Sequence, residues 1–194
     1  MIESGFTYSI DNSSFIETLK TEFYNNPDLV KRNKSNTLYD RHIGTPETLN
    51  FWKNNIDLFR YLEDVTYPRD PNFTILETWM RFYKKDSYSS LHVDVFPVGV
   101  INQQYTNVLL IDQSDDIVGG TIVIAGSTDN ATPETLNLRS KINNRLLTKF
   151  LKTPGDGIVW DANTVHGVTK IEKGHRLVFV CIKVPKDNIQ VYRG

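Results

Sequence analysis

The hydrophobic positions change their period about a third of the way along the chain. Before residue 70 they recur at three- and four-residue spacing; after it they alternate or run together in short β-rich stretches. Over residues 12–26, Phe15, Ile16, Leu19 and Phe23 follow a Ser/Asn-rich start, which predicts a first helix. A second is predicted over 46–65. Thr45 is placed to cap it, Pro46 suits its first turn, and Leu49, Trp52, Ile56, Leu58, Phe59 and Leu62 supply an apolar side. Pro68, Asp70 and Pro71 then end any helix.

Beyond Pro71 the pattern predicts strands over 74–83, 91–96, 105–111, 121–125, 157–160, 164–169 and 175–184. Gly119-Gly120, Pro154-Gly155-Asp156-Gly157 and Lys173-Gly174 are turn signals between them. Helices first and strands afterwards, without alternation, indicate a mainly β (α+β) fold: an antiparallel sandwich or barrel backed by N-terminal helices. With no repeat or linker, residues 1–194 read as a single domain, 1–70 as helical support and 71–194 as the β core. Residues 130–152 fit a helix, a strand pair or a lid equally well.

Composition narrows the function classes. A net charge of −1, from 22 basic and 23 acidic residues, gives no reason to expect binding to nucleic acid or an anionic membrane. Cys181 is alone, which excludes an intrachain disulfide framework and a thiolate zinc cluster. The N-terminal segment lacks a basic start followed by an apolar core, and no window is apolar over a bilayer-spanning length. A cytoplasmic location is therefore expected.

Candidate chemistry centres on the histidines. In a strand, residues two apart face the same way, so His92 and Asp94 present an imidazole and a carboxylate together while Val93 faces away. His166 lies in another predicted strand, and Arg176 follows ten residues later at the head of the most apolar one. Arg176 shares a face with Val178, Val180 and Ile182, so its guanidinium either points into a place where it needs an anion or, as a strand-end residue, reaches solvent. His175 faces the other way and His42 reads as a satisfied polar residue; neither is a candidate ligand.

His92-Val93-Asp94, then His166, then Arg176 resembles the signature of the iron(II)/2-oxoglutarate-dependent oxygenases, most closely the prolyl-4-hydroxylase-like branch. The likeness covers roughly residues 74–184 and extends past the ligands. Arg81-Phe82-Tyr83 resembles the family's Arg-Tyr strand, Gly119-Gly120-Thr121 its glycine turn, and Pro154-Gly155-Asp156-Gly157 the turn before the distal histidine.

The resemblance implies a double-stranded β-helix (jelly-roll) barrel, with iron(II) held by His92, Asp94 and His166. Three positions on the metal then stay open for 2-oxoglutarate and dioxygen. It implies release of succinate and carbon dioxide and hydroxylation of a substrate C–H bond. Arg176 would pair with the distal carboxylate of 2-oxoglutarate, since a fixed fork of donors suits a carboxylate. Tyr83 would be a second donor. Thr106, Val108 and Leu110 share one strand face and are candidate pocket residues, Thr106 as a further cosubstrate contact. Asp94 argues against halogenation, because halogenating relatives carry a small residue there. Ile182, standing where nucleic-acid dealkylases carry a second arginine, argues against that branch. A peptidyl residue, a free amino acid or another small molecule is the expected substrate class. Arg139, Lys141, Arg145, Lys149 and Lys152 form a basic stretch that reads as a solvated face or, if it borders the barrel mouth, as a lure for an anionic small molecule or acidic peptide. A non-catalytic barrel binding small ligands, or a cupin-like metal enzyme without 2-oxoglutarate, are the competing readings.

Overall fold

The computed structural model describes residues 5–32, 38–43, 49–94, 103–127, 147–162 and 164–189. Strand β1 (Phe6–Ser9) precedes helix α1 (Ser13–Tyr24), which Asn12 caps by accepting from the Phe15 amide at 2.9 Å. Strands β2 (Lys31–Arg32) and β3 (Tyr39–His42) come before helices α2 (Asn50–Asn54) and α3 (Ile56–Val65). Then follow β4 (Phe73–Tyr83), β5 (Ser89–His92), β6 (Tyr105–Gln113), β7 (Val118–Gly119) and β8 (Ile122–Ser127). The chain closes with β9 (Leu147–Lys149), β10 (Asp156–Asp161), β11 (Thr164–Val168), β12 (Ile171–Lys173) and β13 (Arg176–Pro185).

The strands form an antiparallel seven-stranded sheet, β1-β10-β6-β13-β4-β3-β2, and an antiparallel four-stranded sheet, β5-β11-β8-β9. A separate pair joins β12 to β7. One face of the larger sheet packs on the helices through Phe15, Leu19, Trp52, Leu62, Met80, Leu109 and Phe179. Its other face meets the smaller sheet through Val108, Val178, Val180, Ile122 and Ile124. Alternation along β13 performs this division: Leu177, Phe179 and Cys181 face the helices, Val178 and Val180 the opposing sheet. Cys181 is a free, buried thiol.

Two polar ties fix the helices to the sheet. The Trp52 indole donates to Thr78 Oγ1 at 2.9 Å. Lys183, only 1% exposed, donates from Nζ to the carbonyls of Glu63, Thr66 and Pro68 at 2.7, 3.2 and 2.9 Å. That ammonium closes the C-terminal end of α3, where unpaired carbonyls favour a cation.

The first third departs from expectation in two ways. It is not purely helical support, because β1, β2 and β3 add to the larger sheet. The helix expected over 46–65 is two helices broken at Asn55, whose side chain donates to the Phe51 carbonyl at 2.8 Å instead of pointing to solvent. Thr45 and Pro46 lie outside the described residues, as does most of the 130–152 segment, including Arg139, Lys141 and Arg145. The described end of that segment forms β9, at the edge of the smaller sheet.

Candidate active site

Strands β5 and β11 are neighbours in the smaller sheet, and their register sets His92 directly opposite His166. The rings lie 4.3 Å apart between centroids. Each ring is oriented from behind: His92 Nδ1 is 2.7 Å from the Ser90 carbonyl and His166 Nδ1 is 2.9 Å from the Thr164 carbonyl. A carbonyl only accepts, so each Nδ1 carries a proton, and in the neutral ring each Nε2 has a free lone pair. Both Nε2 atoms face Asp94: His92 Nε2 lies 3.5 Å from Oδ1 and His166 Nε2 lies 3.5 Å from Oδ2. One ligand atom from each of the three residues falls within 4.8 Å of the others.

This donor set suits a divalent transition metal. Two neutral imidazoles and one carboxylate converge, and second partners on the imidazoles fix their tautomer as metal-bound histidines require. Burial drives the Asp94 carboxyl up, but the two imidazoles and Thr106 outweigh it and hold the group well below the usual carboxylate range. Burial likewise lowers His92, yet the neighbouring carboxylate prevails and raises it. For His166 burial prevails, and its imidazolium is disfavoured. The expected strand over 91–96 stops at His92, so Asp94 lies just beyond the ladder; residues 95 and 96 are outside the described residues.

The larger sheet supplies the pocket's other wall. Trp79, Arg81 and Tyr83 project from alternate positions of β4, and Val180, Val178 and Arg176 from the paired positions of β13. Tyr83 is the cross-strand partner of Arg176. Arg176 is 1% exposed, and among the described residues it has no carboxylate partner. Its donors meet neutral oxygens instead: Nε and Nη2 reach Gln113 Oε1 at 3.2 and 3.0 Å, Nη2 reaches the Leu151 carbonyl at 3.3 Å, and Nη1 donates to the Gly120 carbonyl. The Phe150 ring stacks under the guanidinium at 4.4 Å. Burial pushes the Arg176 pKa down to about 10, which marks a cation whose charge is not balanced locally.

Gly120 belongs to the turn that makes this cradle possible. Its φ of +73° and that of Gly119, +88°, lie in the left-handed region. A Cβ on Gly120 would come within 2.5 Å of the Ile171 side chain and 3.3 Å of Arg176 Nη1.

The structure thus brings His92, Asp94, His166, Tyr83, Thr106 and Arg176 into one pocket. Val108 lines it with them, whereas Leu110 packs behind in the core between the sheets. Thr106 donates from Oγ1 to Asp94 Oδ2 at 2.7 Å, so its partner in the structure is the carboxylate. His175 turns away, with Nε2 3.5 Å from Asp112 Oδ2 and its ring against Phe82. The His42 side chain lies outside the described residues.

Sequence reasoning missed several contributors. Asp40, on β3, holds Arg81 with Nε at 2.7 Å and Nη2 at 3.1 Å, and nothing in its short polar stretch announced a strand. Gln113, at the end of β6, braces Arg176 and carries no motif. Trp160 packs against His166 at 4.4 Å between centroids with the rings tilted by 39°, and its six-residue lead over that histidine was the available signal.

No family model matches this sequence, and no curated protein matches it either. Solved structures match it in fold. A prolyl-4-hydroxylase from Pseudomonas putida aligns with a TM-score of 0.59 at 10% identity, covering 94% of this chain and 93% of that one. The non-heme alpha-ketoglutarate-dependent epimerase SnoN of nogalamycin biosynthesis aligns with a TM-score of 0.69 at 14% identity, over 94% and 77% of the two chains. HygX from Streptomyces hygroscopicus, with nickel and 2-oxoglutarate bound, aligns with a TM-score of 0.64 at 13% identity, over 94% and 83%. At such identities the likeness is one of fold, a mostly β architecture of large antiparallel sheets.

Proposed function

We propose that the chain is an iron(II)- and 2-oxoglutarate-dependent dioxygenase that hydroxylates a C–H bond of a peptidyl residue, a free amino acid or another small molecule. Its two sheets then form the double-stranded β-helix, or jelly-roll, barrel of that class, filled by a single domain. His92, Asp94 and His166 hold the metal, and Arg176 holds the cosubstrate. One observation carries the reading: a buried, charge-unbalanced guanidinium lines the same pocket as a two-histidine, one-carboxylate cluster. A metal site alone fits many reactions. A metal site sharing its pocket with an anion anchor fits a cosubstrate that chelates at one end and carries a carboxylate at the other.

The metal, when bound, would supply the oxidising chemistry: 2-oxoglutarate is decarboxylated to succinate and carbon dioxide, one atom of dioxygen going to succinate and the other to the substrate C–H bond. The chain's own residues bind and orient. Ser90 and Thr164 aim the imidazole Nε2 atoms inward, while Gln113, Gly120, Leu151 and Phe150 hold the guanidinium fork in the pocket. Tyr83, opposite Arg176, offers a second donor to the same carboxylate. Val108, Val178 and Val180 keep the floor apolar and exclude water from the reacting centre.

Anaerobic titration of iron(II) and 2-oxoglutarate into the apo-protein tests this directly. The expected result is a visible metal-to-ligand charge-transfer band that is lost in His92→Ala. Iron binding without the band would favour a cupin-like metal enzyme. No iron binding would favour a barrel that only binds ligands.

A further inference from the structure

Two of the three proposed metal ligands are fixed twice over, and the third is not. His92 and His166 sit in the paired strands β5 and β11 and have Nδ1 anchored on a backbone carbonyl. Asp94 lies two residues past the end of β5, so no ladder hydrogen bond sets its backbone. Its side chain nonetheless has a directional tie: the Thr106 hydroxyl donates to Oδ2 at 2.7 Å. Thr106 belongs to the opposite sheet, where it is 1% exposed and lies between its cross-strand partners Trp160 and Ile182. It cannot swing away to follow a wandering carboxylate.

We infer that Thr106 is a positioning residue for Asp94, linking the two sheets at the metal centre, and not a contact of the cosubstrate. The inference rests on the metal-centre reading above. A hydroxyl has one proton to give, and here Oδ2 takes it. The bond takes one lone pair of Oδ2 and sets the carboxylate so that Oδ1 faces His92 Nε2 and Oδ2 faces His166 Nε2, each at 3.5 Å. Held from this side by the hydroxyl, the carboxylate would present itself to an ion in one orientation, together with the two imidazoles. Without the hydroxyl, Asp94 can rotate, and the three donor atoms must be ordered afresh each time a metal binds.

The test uses the full chain with nickel(II) as the probe, in Thr106→Val and Thr106→Ser. Valine keeps the shape of threonine and removes the donor; serine keeps the donor. Calorimetric titration should show nickel binding about tenfold weaker in Thr106→Val, with most of the loss recovered in Thr106→Ser. Affinity of the nickel-saturated protein for 2-oxoglutarate should be the same in both variants as in the wild type. Unchanged nickel affinity in Thr106→Val overturns the role of Thr106. If that variant loses only 2-oxoglutarate affinity, Thr106 is a cosubstrate contact, and the inference is likewise overturned. A wild-type chain that binds no nickel, iron or cobalt is a different failure, because it removes the metal-centre reading and this inference with it.

Discussion

At the residue scale the pocket is governed by how two charges are settled. Asp94 is over-provided, with two imidazoles and a hydroxyl around one carboxylate, whereas Arg176 has only neutral oxygens and an aromatic face. The arginine therefore gains most from an anion. Arg176→Gln should weaken 2-oxoglutarate binding roughly ten- to a hundredfold, the worth of a charge-assisted pair of about 1.5–3 kcal/mol. Metal affinity should not change. A cosubstrate affinity unaltered by the substitution would assign the anchor to another residue. The histidines predict a pH dependence whose sign follows from their opposite displacements. The raised His92 must lose a proton before it can ligate, while the lowered His166 is already neutral near pH 6.5. Apparent nickel affinity should therefore rise with pH across that region by about one decade per unit and then level off. A slope of two decades would mean that both imidazoles titrate together. Spacing along one strand was enough to pair His92 with Asp94, whereas His166 and Arg176 joined them only through the resemblance of the whole pattern to the oxygenase signature. Gln113, which braces Arg176, and Asp40, which holds Arg81, act across strands, where local spacing carries no information; the face of its strand marked Thr106 as a pocket residue but not as the partner of Asp94.

At the scale of elements, the long strands were legible and the short ones were not. β4 and β13 each run for ten residues or more with alternating faces, so their pattern survives without knowledge of their partners. β2 has two residues and β12 three; such segments become strands only because a neighbour supplies the hydrogen bonds. The same holds for β1 and β3, which a reading tuned to helical spacing passed over. The helix expected over 46–65 had its apolar side at Trp52, Phe59 and Leu62, which are buried, but Leu49, extended ahead of α2, and Ile56, just after the break at Asn55, remain exposed. The glycine turn between β7 and β8 is the element on which the anion anchor depends most. Gly120→Ala forces a left-handed residue to carry a Cβ and should cost about 1–2 kcal/mol of stability, read as a lower denaturation midpoint. Because the Gly120 carbonyl accepts from Arg176, the same variant should also weaken 2-oxoglutarate binding. A variant as stable as the wild type would show that the turn relaxes freely.

At the scale of the whole molecule, the pocket is divided between the two sheets. The smaller contributes His92 and His166, the larger Arg176, Tyr83 and Thr106, and neither holds a complete site. A ligand that touches both must therefore favour the state in which they are docked. With nickel present, 2-oxoglutarate at a hundred times its dissociation constant should stabilise the fold by about 2.7 kcal/mol, raising the melting temperature by roughly 5–10 °C. Arg176→Gln, binding ten- to a hundredfold more weakly, should keep about 0.4–1.4 kcal/mol of this at the same concentration, and a full shift in that variant would refute the shared-pocket account. The buried lysine on the far side of the larger sheet has a parallel consequence for the ageing of the molecule. Lys183 grips the end of α3 through three carbonyls, each of which needs its charged amine. Any reagent that acylates lysines must first reach an amine that the folded chain conceals. Modification at this position would therefore record an excursion into an open state, and a chain so marked could not close the end of that helix again. Acylation of Lys183 would in this way report opening of the fold, independently of the state of the pocket.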